Sequence, residues 1–274
     1  MVIGESDTSF IHYSEELDID YSNSTVSIAA DEHSVSFGVF DNFTSEILHL
    51  ERHSLLDEQL DLLKFPFAHK DLGALVLTQK GGNSTLVPTS LARGKEQQEL
   101  NSFLNKGKIM SSNRITSLEA EVYYNKLEII KWIESEFPQS KVQHNSKPLI
   151  DNILETNRYQ KGMKIYGDIS EHTLELVVIR NNQLIKYTTE QFQTATDLLF
   201  HLTAQIEIHG FNQLEDFLFL SGLIDNTASV YTELKRYIKN IRLNSGLTYQ
   251  KISKSLGVVP KHHFFTVLNA YQCV

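Results

Sequence analysis

Short apolar and β-branched runs at Val26–Ala30, Ser34–Phe40 and Glu46–Glu51 predict three strands, the first two folded around the polar turn Asp31-Glu32-His33. The spacing Leu55-Leu56-x-x-x-Leu60-x-Leu62-Leu63 predicts a helix, with Asp57 and Glu58 in the first turn, where the helix dipole favours carboxylates. Leu72–Thr78 and Ser84–Pro88 read as two further strands, and Gln79-Lys80-Gly81-Gly82-Asn83 between them as a hairpin turn. A polar helix is expected over Thr89–Asn105, closed by Lys106-Gly107-Lys108. Val122–Tyr124 then reads as a strand feeding a helix through Leu127, Ile130 and Ile133, with Trp132 on its core side and Pro138 at its end. Residues 139–162 hold a short apolar helix at Leu149–Leu154 within a turn-rich stretch.

The same order restarts in the second half. Lys164–Ile169, Thr173–Arg180 and Leu184–Thr189 predict three strands, Asp197–Ile206 a helix ending at Gly210, and Phe217–Leu220 a fully buried strand followed by a Ser221-Gly222 turn. Val230–Ile238 has amphipathic spacing, with Lys235, Arg236 and Lys239 near its carboxyl end. The run His262-His263-Phe264-Phe265-x-Val267-Leu268 predicts a packed C-terminal segment and reads as extended, which would turn the two histidines to opposite faces and away from shared metal ligation.

The stretch Glu171-His172-Thr173 through Asn181 nearly repeats Glu32-His33-Ser34 through Asn42, and the two histidines are 172 − 33 = 139 residues apart. In a chain of 274 residues that offset implies two tandem copies of one unit. The expected organisation is an acidic N-terminal arm over 1–21, a first lobe over 22–158 and a second over 159–274. Within the arm, Asp18-Ile19-Asp20 alternates with apolar residues and reads as an extended segment with one wet face, having too few carboxylates for a cation site.

A net charge of −9, with no long basic run, argues against nucleic acid and anionic membrane surfaces as partners. One cysteine, Cys273, excludes an intramolecular disulfide and fits a reducing, cytoplasmic compartment. No apolar run approaches the roughly 20 residues of a membrane span, and no signal peptide is expected at the start. The sequence also lacks a His-Glu-x-x-His helix, a Gly-x-Ser-x-Gly elbow and a Gly-x-Gly-x-x-Gly turn.

Two hairpins with polar turns, each followed by a third strand, a helix, a strand and a helix, resemble the duplicated ribonuclease-H-like lobes of the actin, heat-shock-chaperone and sugar-kinase superfamily. The resemblance implies an α/β fold, mixed sheets with flanking helices, and ATP with magnesium between the lobes on Asp-x-Gly-Ser/Thr turns and a glycine-containing adenosine turn. Carried over by residue, Asp31, His33 and Ser34 match the first phosphate turn; Asp168, Ser170, His172 and Thr173 match the second; Ser221 and Gly222 match the adenosine turn. His33, Ser170 and His172 stand where glycine is expected, and a side chain there obstructs the close approach of backbone N–H groups to an anion. More closely, Ser84–Pro88, Thr194–Leu202, Phe219–Gly222, Tyr237–Ile241 and His263–Cys273 resemble a bacterial family known as domain of unknown function 3822, over about Val26 to Cys273.

The expected function is that of a binding or scaffold protein with a protein partner, without catalytic residues or a required cofactor. ATP with magnesium held by Asp31 and Asp168 is the alternative, and polymerisation, as in actin relatives, a third. The repeat also implies that His33 and His172 face each other across the cleft.

Overall fold

The computed structural model describes residues 10–14, 19–55, 64–92, 110–246, 251–253, 256 and 259–271. The helix expected at 55–63 and most of that expected at 89–105 lie outside these residues; the described start of the latter, 89–92, is a turn.

The first sheet contains β1 (Phe10–Ser14), β2 (Ser24–Ala30), β3 (Ser34–Asp41), β4 (Glu46–Ser54) and β5 (Ala74–Gln79). A separate three-stranded sheet holds β6 (Ser84–Pro88), β7 (Ser111–Ile115) and β8 (Ala120–Tyr124). Helix α1 (Glu128–Glu136), strand β9 (Lys141–His144) and helix α2 (Ser146–Thr156) complete the first half. The second half comprises β10 (Met163–Ile169), β11 (Thr173–Arg180), β12 (Gln183–Gln191), α3 (Ala195–Ile208), β13 (Phe217–Gly222), α4 (Ser229–Tyr237) and β14 (Ile241–Leu243). It ends in β15 (Lys251–Ile252), a 3-10 turn at Lys261–Phe264 and α5 (Phe265–Ala270).

Duplication is written in the sheet order. The core of the first sheet runs β4-β3-β2-β5-β9 and the second runs β12-β11-β10-β13-β14. In both, the first three strands are antiparallel and the last two join in parallel. Each also carries a β-bulge at the same place, between Val39 and Phe40 and between Val178 and Ile179, again 178 − 39 = 139 residues apart. This is the actin-like, ribonuclease-H-like arrangement of two α/β lobes.

The lobes exchange helices. Leu149, Ile150, Ile153 and Leu154 of α2 are buried among Tyr166, Val177 and Ile179 of the second sheet. Val267 and Leu268 of α5, with Phe264 just before it, are buried against Ala29, Phe40 and Leu50 of the first. Burying each of these apolar side chains is worth roughly 1.5–3 kcal/mol. Ser27 Oγ also donates to the Val267 carbonyl at 2.9 Å. Gly38 permits the close approach, since a Cβ there would stand 2.9–3.0 Å from Leu50, Phe40 and Val267.

Several expectations need correction. Gln79–Asn83 is not a hairpin turn: β5 lies between β2 and β9, while β6 pairs with β8 in the other sheet, so the pentad links two sheets. Ser221 and Gly222 end β13, paired with Asp168 and Ile169, rather than forming a turn after it. Gly222 adopts φ +81°, and a Cβ would fall 1.9 Å from the Ile169 carbonyl oxygen. Phe217 and Phe219 are half-buried rather than buried, Phe219 stacking on Tyr166 and Phe217 lying under the Arg242 guanidinium. The C-terminal run is helical, so His262 and His263 lie on one 3-10 turn with ring centroids 4.4 Å apart. Trp132 is partly buried and packs beside Phe65, as its core placement requires. Asp20 caps the short 3-10 turn at Tyr21–Asn23. Among the described residues no helix is long and apolar enough to cross a membrane.

Candidate functional site

The parallel pairs β2–β5 and β10–β13 bring four strand ends to the junction of the lobes, the usual place for a site in an open α/β sheet. At the end of β2, the Asp31 carboxylate folds onto its own turn, accepting from His33 N–H at 2.8 Å and Ser34 Oγ at 3.1 Å. At the end of β10, Ser170 N–H donates to Thr173 O at 2.8 Å as Asp31 N–H donates to Ser34 O at 3.0 Å. Ser170 is therefore the counterpart of Asp31, and Asp168 that of Ala29. The two aspartates are not symmetry mates.

Asp168 is the hub. Its Oδ1 accepts from Ser221 Oγ at 2.9 Å, and its Oδ2 from Thr266 Oγ1 at 3.0 Å and Lys80 Nζ at 2.8 Å. The side chain is 1% exposed and that of Lys80 13%. Burial alone would lower the Lys80 ammonium, but Asp168, then Glu175 and Asp31, more than offset it and hold its pKa above the ordinary lysine value. Glu175, buried on β11 opposite Asp168, accepts from Gly81 N–H at 3.0 Å, Tyr187 OH at 3.2 Å and the Asn145 amide. Burial raises its pKa, and Lys80 only partly opposes this.

Nearer the rim, Arg52 of β4 donates to Glu171 at 2.9 Å and Ser54 Oγ to the same oxygen at 2.5 Å, tying the first lobe to the second. His33 and His172 meet here, their rings edge to face with centroids 4.9 Å apart. Gly81 abuts Thr173, where a Cβ would stand 3.2 Å from the threonine methyl. Ser34, Ser170 and Gly222 line a cavity with Arg52, Lys80 and His263; its 20 Å³ is room for about one water.

The structure thus gathers Ser34, Asp168, Ser170, Ser221 and Gly222 around one point and sets His33 against His172 at its rim, with Thr173 against Gly81. Lys80, Glu175, Arg52 and Thr266 carry much of the electrostatics and were missed by sequence reasoning. Glu175 does leave a trace, as a lone carboxylate inside the apolar run Leu174–Ile179. Lys80 beside Gly81-Gly82 left none beyond the turn signal.

Two solved structures share the architecture. A Bacteroides thetaiotaomicron protein with actin-like ATPase fold and unknown function superposes with a TM-score of 0.71 at 17% identity, over 92% of this chain and 98% of that one. The PilM-PilN type IV pilus biogenesis complex matches with a TM-score of 0.61 at 9% identity, over 91% of this chain and 98% of that one. At such identities the likeness establishes the fold alone. No curated protein matches the chain. A family model described as "Protein of unknown function (DUF3822)" matches residues 14–241.

Proposed function

The chain belongs to the DUF3822 family, and we propose that it acts as a binding or scaffold protein, its inter-lobe site held by its own side chains. The observation that supports this reading is the Lys80–Asp168 ion pair at 2.8 Å, buried where the resemblance to ATP-binding lobes leads one to expect magnesium and phosphate.

The residues present do not fit magnesium ATP. Magnesium takes near-octahedral oxygen ligands, usually one or two carboxylates with several waters, and a neighbouring ammonium competes with it for the same carboxylate. Both oxygens of Asp168 are engaged, one of them by an ammonium, and both oxygens of Asp31 are used in its own turn. His33 and His172 fill the rim, Ser170 stands at a glycine position, and the Arg52 guanidinium is already taken by Glu171. A protein partner is the reading consistent with a preformed and internally neutralised cleft, and the PilM neighbour is itself part of a protein complex.

Thermal unfolding with and without magnesium ATP at about 1 mM tests the reading. A ligand present at its own Kd stabilises by only about 0.4 kcal/mol, so the expected shift is within about a degree. A rise of several degrees with ATP but not with AMP would overturn it.

A further inference from the structure

Outside the Lys80 network, Asp225 from the β13–α4 connection meets His262 and His263 of the 3-10 turn, their ligand atoms all within 4.8 Å of one another. Asp225 Oδ1 lies 3.4 Å from His262 Nε2 and 3.2 Å from His263 Nε2. Donor atoms about 2.0–2.1 Å from a tetrahedral zinc ion stand about 3.3 Å apart, so both separations are already those of a coordination edge.

The burial of the ring nitrogens points the same way. His262 is 9% exposed, and its Nε2 is buried without a hydrogen-bond partner although it faces a carboxylate oxygen. The backbone at Ile224 stands within hydrogen-bonding reach of the same ring, the kind of support a metal-bound imidazole has on its far side. His263 lies alongside, with its Nδ1 also buried and unpaired. The nearby Arg52 guanidinium is engaged by Glu171. Two imidazoles and one carboxylate suit zinc, cobalt or nickel, whereas magnesium and calcium require more oxygens.

We infer that Asp225, His262 and His263 form a binding site for a divalent transition metal of the zinc class. The three protein ligands leave a fourth position open beside the inter-lobe cavity that His263 lines. Because the 3-10 turn leads directly into α5, the ion would fasten the C-terminal helix on the first sheet to the end of β13 in the second. This inference does not rest on the nucleotide reading above.

The full-length protein, stripped with a chelator, is titrated with Zn²⁺ by calorimetry and with Co²⁺ by visible absorbance. One ion per chain and tetrahedral cobalt bands are expected. Asp225→Asn, His262→Gln and His263→Gln should each weaken binding at least about tenfold, while His201→Gln, on α3, should retain it. In the wild type, which avoids dependence on the variants' folding, Zn²⁺ should move the ring ¹H–¹⁵N signals of His262 and His263 but not those of His33 and His172. Absence of micromolar binding, or zinc-induced shifts confined to other histidines, would overturn the assignment.

Discussion

Replacing Lys80 with Met removes the cation that, among the described residues, is paired with Asp168, while leaving a side chain of similar length. At 2.8 Å and an effective dielectric constant of about 20, the lost Coulomb attraction is about 6 kcal/mol. Breaking a buried pair by deleting one partner typically costs about 3–5 kcal/mol, since the desolvated partner stays behind. At about 2–4 °C per kcal/mol, the melting temperature should fall by roughly 6–20 °C at pH 7. The pH dependence supplies a signature that lost packing would not. In the wild type the pKa of Glu175 is already raised by burial, so its ionisation costs stability as pH rises above the ordinary carboxylate range. Without Lys80 nothing from that ammonium opposes the rise at Glu175, and the deficit of the variant should shrink as pH falls from 7 toward 5. Lys80, whose pKa is raised, stabilises fully below the ordinary lysine value and ceases to do so only at strongly alkaline pH. Urea unfolding followed by circular dichroism at both pH values measures the difference, and Lys80→Met/Glu175→Gln should regain part of it. A Lys80→Met protein within about 1 kcal/mol of wild type, or one with equal deficits at pH 7 and pH 5, would refute the assignment of Lys80 as the counter-ion of the cleft.

Two further outcomes follow from burial. His144 is held neutral by burial, with its pKa lowered to about 4, so its contribution is intact above the unfolded value near 6.5 and is lost as pH falls toward 4; at about 1.4 kcal/mol per unit this amounts to roughly 3 kcal/mol. His144→Gln should flatten that limb of the stability profile, as read by denaturant unfolding across the interval. Removing residues from His262 onward should leave an insoluble or unfolded protein, because Phe264, Phe265, Val267 and Leu268 are each 1% exposed and together are worth about as much as the whole stability of a domain. A truncated chain that melts like the full one would show that the segment is not core.

The sequence made the repeat legible because strand alternation, turn polarity and the paired histidines are local signals that survive at a fixed offset. Even the meeting of His33 with His172 could be anticipated from the symmetry of the two turns. The chemistry of the cleft could not, since Lys80 and Arg52 are single polar residues whose partners Asp168 and Glu171 lie 88 and 119 positions away, and the lone carboxylate of Glu175 inside an apolar run does not say what it meets. Matching Asp31 with Asp168 failed for a related reason: both precede a polar turn, but only strand register shows Asp168 inside β10 and Asp31 just past the end of β2. The dense apolar pattern of the C-terminal run, without clear period, suits a buried helix as well as a strand, and its packing on the first sheet selects the helix.

The helix exchange has a consequence for synthesis. Ser27 and its partner Val267 are 240 residues apart. At a translation rate of roughly 5–20 residues per second, the face of the first sheet that α5 covers waits about 12–50 s after β2 is made before its cover exists. During that interval Ala29, Phe40, Ile47 and Leu50 have no native partner from α5. The emerging chain therefore carries an uncovered apolar sheet face through that interval, and the first sheet can complete its packing only after the second has been made.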